Sequence, residues 1–383
     1  MKNKQHPHLK ISDDIYNLKS DDLGDNLLYY SYHIKHIKSV ILKNVDKESE
    51  QYLSAYNSFI GEAYENIVYE RLLRYAANNE YITKFILKGP HQNKKLDLKK
   101  GLLIDRNAQI VYKSGYKDVN EFDGLFFTND SVYFVESTIV KLTSSLRKRL
   151  RKKKALLEVL FPKLKVKALI ILCEGATGVR VFPDYCTIWL TKNYDPTILL
   201  EKLINNKNQK KESFIKVKSN NFVEIDSVDH FRFNYFDTLS WILKKSRSTP
   251  KLPINLNFFK TNRLHQYFDI FGKLYIGYIT TKQLESFIGD MPKEILDDCV
   301  FVTIEKKDNG EFCLAFFVKY TQGGVDRIDI NFDSSTAIFS KKDPKGFTSS
   351  EVKYMQYIIT DEHIINTKTI LAINSKITTW KSN

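Results

Sequence analysis

The chain has 383 residues, 43% of them hydrophobic, enough for a sizeable core and for two or three domains. Its 59 Lys+Arg against 45 Asp+Glu leave a formal net charge of +14, which favours a polyanionic partner, either nucleic acid or an acidic membrane face. Four scattered cysteines (Cys173, Cys186, Cys299 and Cys313) argue against a zinc ribbon or a disulfide scaffold, and no apolar run approaches the roughly 18 residues of a membrane span.

The start, MKNKQHPHLK, lacks the apolar core of a signal peptide, so a cytoplasmic location is expected. Leu27 to Leu42 can be helical, with His33 and His36 at i,i+3 but no acid or cysteine to complete a metal set. Ser54 to Asn78 is a stronger helix. Phe59, Ala63, Ile67, Leu72 and Leu73 give it an apolar stripe, and Glu62, Glu65 and Glu70 are carried along it. Tyr81 to Leu87 and Leu102 to Tyr112 read as strands flanking a basic loop that contains Lys94 and Lys95.

Asn120 to Lys141 reads as a hairpin. Phe122 to Phe127 is the first strand, Asn129-Asp130-Ser131 the turn, and Val132 to Glu136 the second strand. Two carboxylates, Asp123 and Glu136, interrupt it. A carboxylate is costly to bury alone, so a cation, a donor or a metal is expected beside each. Leu142 to Phe161 follows as a helix, with Leu142, Leu146, Leu150, Leu157 and Phe161 on one side. Arg147, Lys148, Arg149, Arg151, Lys152, Lys153 and Lys154 take the rest. From Lys141 to Lys167 there are eleven Lys/Arg and one acid, Glu158. Like charges at i,i+4 repel, so a one-signed face is better explained by a polyanion than by solvent alone.

Val166 to Cys173 reads as a buried strand, Gly175 to Gly178 as a turn and Thr187 to Leu190 as another strand. This order predicts an α/β fold with a mixed central sheet flanked by helices. Asn205 to Glu212 is a polar loop, and Phe231 to Leu243 an aromatic-rich helix. Ser246 to Pro253 is the best linker. Beyond it, Thr280 and Gln283 form a capping box, Asp308-Asn309-Gly310 marks a hairpin, and Val325 to Phe332 makes a further strand with Asp326, Asp329 and Asp333 on its exposed face. Ser350 to Ile359 closes the list as a helix. The expected division is an N-terminal helical extension at 1–53, a core domain at 54–245 and an α+β domain at 254–383.

Across a hairpin, Asp123 and Glu136 can hold Mg²⁺ or Mn²⁺, with Glu65 as a third carboxylate if its helix packs against that edge. Such an ion polarises a phosphoryl oxygen and makes hydroxide available near neutral pH. Flanking bases, notably Lys94, Lys95, Arg147, Lys148, Arg151 and Lys152, could grip a nucleic-acid backbone without reading sequence.

Residues 54–191 resemble the PD-(D/E)XK, or restriction-endonuclease-like, nuclease superfamily. They share its order of a helix with Glu, a strand, an Asp-bearing strand, a strand ending in Glu, a helix and a strand. The resemblance maps Asp123 and Glu136 onto the catalytic acids and Glu65, ahead of Glu62, onto the accessory ligand. The family's lysine falls at Thr138, and Lys141 is the nearest substitute, with Arg147 and Lys148 next. What the resemblance implies is a metal-dependent nuclease, acting on DNA rather than RNA, with phage defence as a role by analogy. The alternative is a catalytically degenerate module on the same scaffold that binds nucleic acid, or a partner. The C-terminal domain is expected to serve a homo-oligomer or a partner protein, and a membrane partner ranks last.

Overall fold

The computed structural model describes residues 6–18, 24–27, 32–92, 100–115, 117–205, 216–230, 232–247, 254–255, 257–289, 300–307, 309–319, 325–340, 348–358 and 361–380. Lys94 and Lys95 lie outside the described residues, as do most of the loop at 205–212 and of the linker at 246–253. The chain packs as two units. One takes residues 1–113 and 118–232, the other residues 114–117 and 233–383. The architecture is mixed α/β, with a central sheet flanked by helices in the first unit and a separate sheet in the second.

The first unit opens with three helices, α1 (Asp13–Tyr16), α2 (Gly24–Leu27) and α3 (Tyr32–Leu42), followed by the long α4 (Glu50–Ala77). α4 starts one turn before its apolar stripe because Ser49 caps it, the hydroxyl accepting from the Tyr52 N–H. Next come β1 (Lys84–Ile86), β2 (Gly101–Ile104), β3 (Ile110–Ser114), β4 (Lys117–Phe122), β5 (Gly124–Phe127), β6 (Ser131–Thr138), α5 (Leu146–Leu160), β7 (Lys165–Cys173), β8 (Cys186–Thr191), α6 (Thr197–Asn205) and β9 (Phe222–Val223).

The central sheet runs β8-β7-β6-β5-β1-β9. β1, β5 and β6 pair antiparallel. β6, β7 and β8 pair parallel, with α5 as the crossover between β6 and β7. Phe59, Ala63 and Ile67 of α4 pack on Phe126, Tyr133, Val135, Leu169 and Ile171. Side chains alternate across a strand, so Phe134 and Glu136 face away from α4.

Two expected strands are corrected. Leu102 to Tyr112 is a hairpin of β2 and β3, because Asp105 Oδ1 accepts from the N–H groups of Asn107 (2.9 Å) and Gln109 (3.0 Å) and turns the chain. Phe122 to Phe127 is split at Asp123. β4 ends at Phe122 in a three-stranded sheet with β2 and β3, and β5 begins at Gly124 in the central sheet. Asp123 is therefore the residue at which the chain changes sheets.

The second unit contains α7 (Tyr235–Lys245), α8 (Asn262–Phe271), β10 (Lys273–Ile279), α9 (Thr281–Ile288), β11 (Val300–Lys306), β12 (Phe312–Lys319), β13 (Val325–Asn331), β14 (Thr336–Ser340), α10 (Ser349–Ile358) and α11 (Thr367–Ile377). Its strands form an antiparallel meander in chain order. The capping box of Thr280 and Gln283 opens α9 as expected. Gly277 sits at φ 154°, where a Cβ would come within 2.5 Å of the His363 carbonyl oxygen, so only glycine admits that close approach.

Candidate active site

Asp123 and Glu136 flank the end of the β5–β6 ladder. The register pairs Gly124 with Val135, and Asp123 and Glu136 are the residues next to that last pair. Oδ2 of Asp123 accepts from the Ser137 N–H at 2.6 Å and from Ser137 Oγ at 3.0 Å. These charge-assisted bonds fix the carboxylate against the end of β6.

Glu136 is 2% exposed, and a carboxylate so buried is costly without a cation beside it. α5 supplies two. Lys153 Nζ donates to Oε2, and Arg149 Nη2 lies 2.6 Å from Oε1. Arg149 keeps most of its side chain in solvent, whereas Lys153 is buried, with its ammonium 5.7 Å from the Phe122 ring centroid. Burial lowers the Lys153 pKa, but Glu136 first and Asp123 next outweigh it and hold the ammonium above the ordinary lysine value.

Lys153 was expected among the other bases of α5, off its leucine side. Leu146, Leu150, Lys153 and Leu157 recur at i, i+4, i+7 and i+11, so this lysine stands inside the apolar stripe. That spacing was the signal that could have found it.

Glu65 comes from α4, on the other side of the sheet. It is partly exposed and makes no hydrogen bond or ion pair with the described residues. Desolvation, then the like charge of Asp123, push its carboxyl well above the usual range. Lys88 is the neighbouring cation. It is fully buried, its Nζ donates to Gln109 Oε1 at 2.8 Å, and it lies 5.0 Å from the Tyr69 ring centroid. Desolvation lowers its pKa against the pull of Asp123 and Glu65.

The Lys88 backbone is tightly held. Its N–H donates to the Tyr69 hydroxyl (2.8 Å), which donates to the Ile86 carbonyl (3.0 Å). Three residues on, His91 Nε2 meets Glu70 Oε1 at 2.5 Å, and Arg74 binds the other oxygen of Glu70 at 2.9 Å. Nothing in the run of nine Lys/Arg from Lys84 to Lys117 distinguishes Lys88, because its burial arises from tertiary packing alone.

The remaining expected residues lie around this group rather than in it. Lys141 is exposed, and its carbonyl accepts from the Thr177 N–H at 2.7 Å. Arg147 and Lys148 are exposed on α5, Arg151 and Lys152 are half-buried, and Glu62 is buried in α4. Among the described residues, no group of three or more His, Cys, Asp or Glu side chains is disposed to hold a metal ion. No helix of the described residues is long and apolar enough to cross a membrane. Compared with family models, with curated proteins and with solved structures, the chain matches none.

Proposed function

We propose that the first unit is a metal-dependent nuclease of the restriction-endonuclease-like kind, hydrolysing phosphodiester bonds of nucleic acid, DNA rather than RNA. The observation that carries this is Lys153. It is buried on Glu136 with Asp123 next among the charges acting on it, so α5 supplies the cation that Thr138 does not. The elements of the central sheet support the same reading. After α4 come the antiparallel β1, β5 and β6, with β2 to β4 inserted as a separate sheet, then α5 and the parallel β7. Asp123 and Glu136 lie next to the last pair of the β5–β6 ladder.

The donor set fits a hard divalent ion in part. Among the described residues Glu65 makes no hydrogen bond or ion pair; desolvation and then Asp123 push its carboxyl up, and a Mg²⁺ or Mn²⁺ ion held by these two would relieve that repulsion. Glu136 already has both oxygens on cations, so it serves here chiefly to hold Lys153. When bound, the ion would polarise a phosphoryl oxygen and acidify a water. Lys153 would face the developing phosphoryl charge as a fixed ammonium. Arg147 and Lys148 would meet backbone phosphates.

The full pairing of Glu136 also favours a second reading, in which the scaffold binds nucleic acid without cutting it. One experiment separates them. Plasmid DNA is incubated with the full chain and Mg²⁺ or Mn²⁺, in parallel with Asp123→Ala. Nicking by the wild type that the variant lacks is the expected result. Salt-sensitive binding with no cleavage under either metal would leave the binding module.

A further inference from the structure

We propose that the loop between β6 and α5 carries an apolar wedge, Val140 and Leu142, that enters a nucleic-acid duplex and unstacks a base step beside the carboxylates. This rests on the nucleic-acid reading of the first unit. Val140 is 54% exposed and Leu142 64% exposed. Leu142 was expected inside the helix, on its apolar side, but α5 begins only at Leu146 and leaves it in solvent.

The loop is fixed on both sides of this leucine. The Thr177 N–H and hydroxyl donate to the Lys141 carbonyl at 2.7 and 3.2 Å. The Thr143 hydroxyl donates to the Thr177 carbonyl at 2.6 Å. Leu142 itself pairs with Thr177 as an isolated bridge. Thr143 is buried, so the loop turns its hydroxyl inward while two aliphatic side chains point to water. Val140 and Leu142, two positions apart on this fixed loop, thus form one small apolar projection.

Charge selects the partner. Lys141 lies between the two aliphatics, and Arg147, Lys148 and Arg149 are exposed at the start of α5. No acid occurs between Glu136 and Glu158. An anionic lipid face shares that charge, but β6 ends at Thr138, two residues after Glu136, and Val140 follows two residues later, which puts the wedge beside the proposed chemistry. Aliphatic residues flanked by bases are the side chains that wedge into a base step and kink a duplex.

The test uses the full chain in EDTA and a duplex carrying 2-aminopurine, whose fluorescence rises on unstacking. Polarisation reports binding in the same samples. Wild type is expected to bind and to raise the fluorescence. Val140→Ser with Leu142→Ser, both exposed positions that should leave melting unchanged, is expected to bind within about threefold, since phosphate contacts carry most of the affinity. It should lose the fluorescence rise, and Leu142→Phe should keep it. If wild type binds without a rise, or the double variant keeps the rise, the wedge is overturned and the nucleic-acid reading stands. If wild type binds no duplex at low salt, or binds phosphatidylserine vesicles instead, both are overturned.

Discussion

Two clusters of this protein, Arg327 and Glu351 with their surroundings in the second unit and Glu65 with Lys88 in the first, handle charge in opposite ways. In the second unit, Arg327 of β13 reaches Glu305 at 2.6 Å and Asp329 at 2.8 Å, and these acids hold its guanidinium above the ordinary arginine value despite partial burial. Glu351 of α10 accepts from the Thr348 N–H at 2.8 Å and the Tyr235 hydroxyl at 2.5 Å, and pairs with Lys117 at 3.2 Å. Burial raises its carboxyl, but Lys117 first and Tyr235 next outweigh that and hold it below the usual range. In the first unit, Glu65 is pushed up and Lys88 down, each away from its charged form. Structural ion pairs favour the charged state of each member. Groups pushed away from their charged form by burial beside a like or opposite charge are a feature that functional sites share.

The sharpest way to break this comparison is Lys153→Met. Under the proposed chemistry it lowers Mg²⁺-dependent nicking by about 10²- to 10⁴-fold. Arg327→Met, in the other sheet, leaves nicking unchanged. Because Lys153→Met also strips a buried carboxylate of its main cation, Lys153→Arg serves as a control that restores charge without restoring shape. Undiminished nicking by Lys153→Met would make α5 a structural element like β13. Arg327→Met has its own expected effect, a loss of about 1.5–3 kcal/mol in denaturant unfolding, the range for hydrogen bonds to charged groups.

The acid side of the stability curve gives a smaller effect. A carboxyl whose folded pKa is depressed contributes stability above its unfolded value, and loses it as pH falls through the folded one. Glu351→Gln should therefore lower the melting temperature at pH 7, and the gap should close as pH falls below the ordinary 4.5. A gap that persists in acid would mean that Glu351 acts through packing rather than through charge.

The hairpin was legible because aromatic strands and the Asn129-Asp130-Ser131 turn set the register, which ends at the Gly124–Val135 pair beside Asp123 and Glu136. The strand break at Asp123 was not, since Phe122 and Leu125 are both apolar and alternation cannot say that they enter different sheets. Lys153 hid among seven bases on one helix, and only its position in the leucine stripe marks it. β10 was missed because an apolar run around Gly277 has no period that distinguishes strand from buried helix. Asp329 keeps 42% of its side chain exposed, as expected of that face, but its local pairing with Arg327 was not read, nor was the long-range pairing of that arginine with Glu305 of β11.

Glu65→Gln produces the smallest change, and its sign decides most about the comparison. Glutamine keeps the size and removes a charge that both desolvation and Asp123 disfavour. A raised folded pKa means that the folded chain takes up the proton more readily than the unfolded chain. Wild type is therefore most favoured below the unfolded value of 4.5 and loses that advantage as pH rises toward the folded value. The variant should melt about 2–4 °C higher at pH 7.5 and level with wild type at pH 4, an effect of roughly 1 kcal/mol in a unit of this size. Mn²⁺ should raise the melting temperature of wild type more than that of the variant, because an ion held by Glu65 and Asp123 binds only the folded chain. A variant that melts lower at pH 7.5, as Glu351→Gln should, would show Glu65 to be a satisfied structural acid. The two clusters would then handle charge alike.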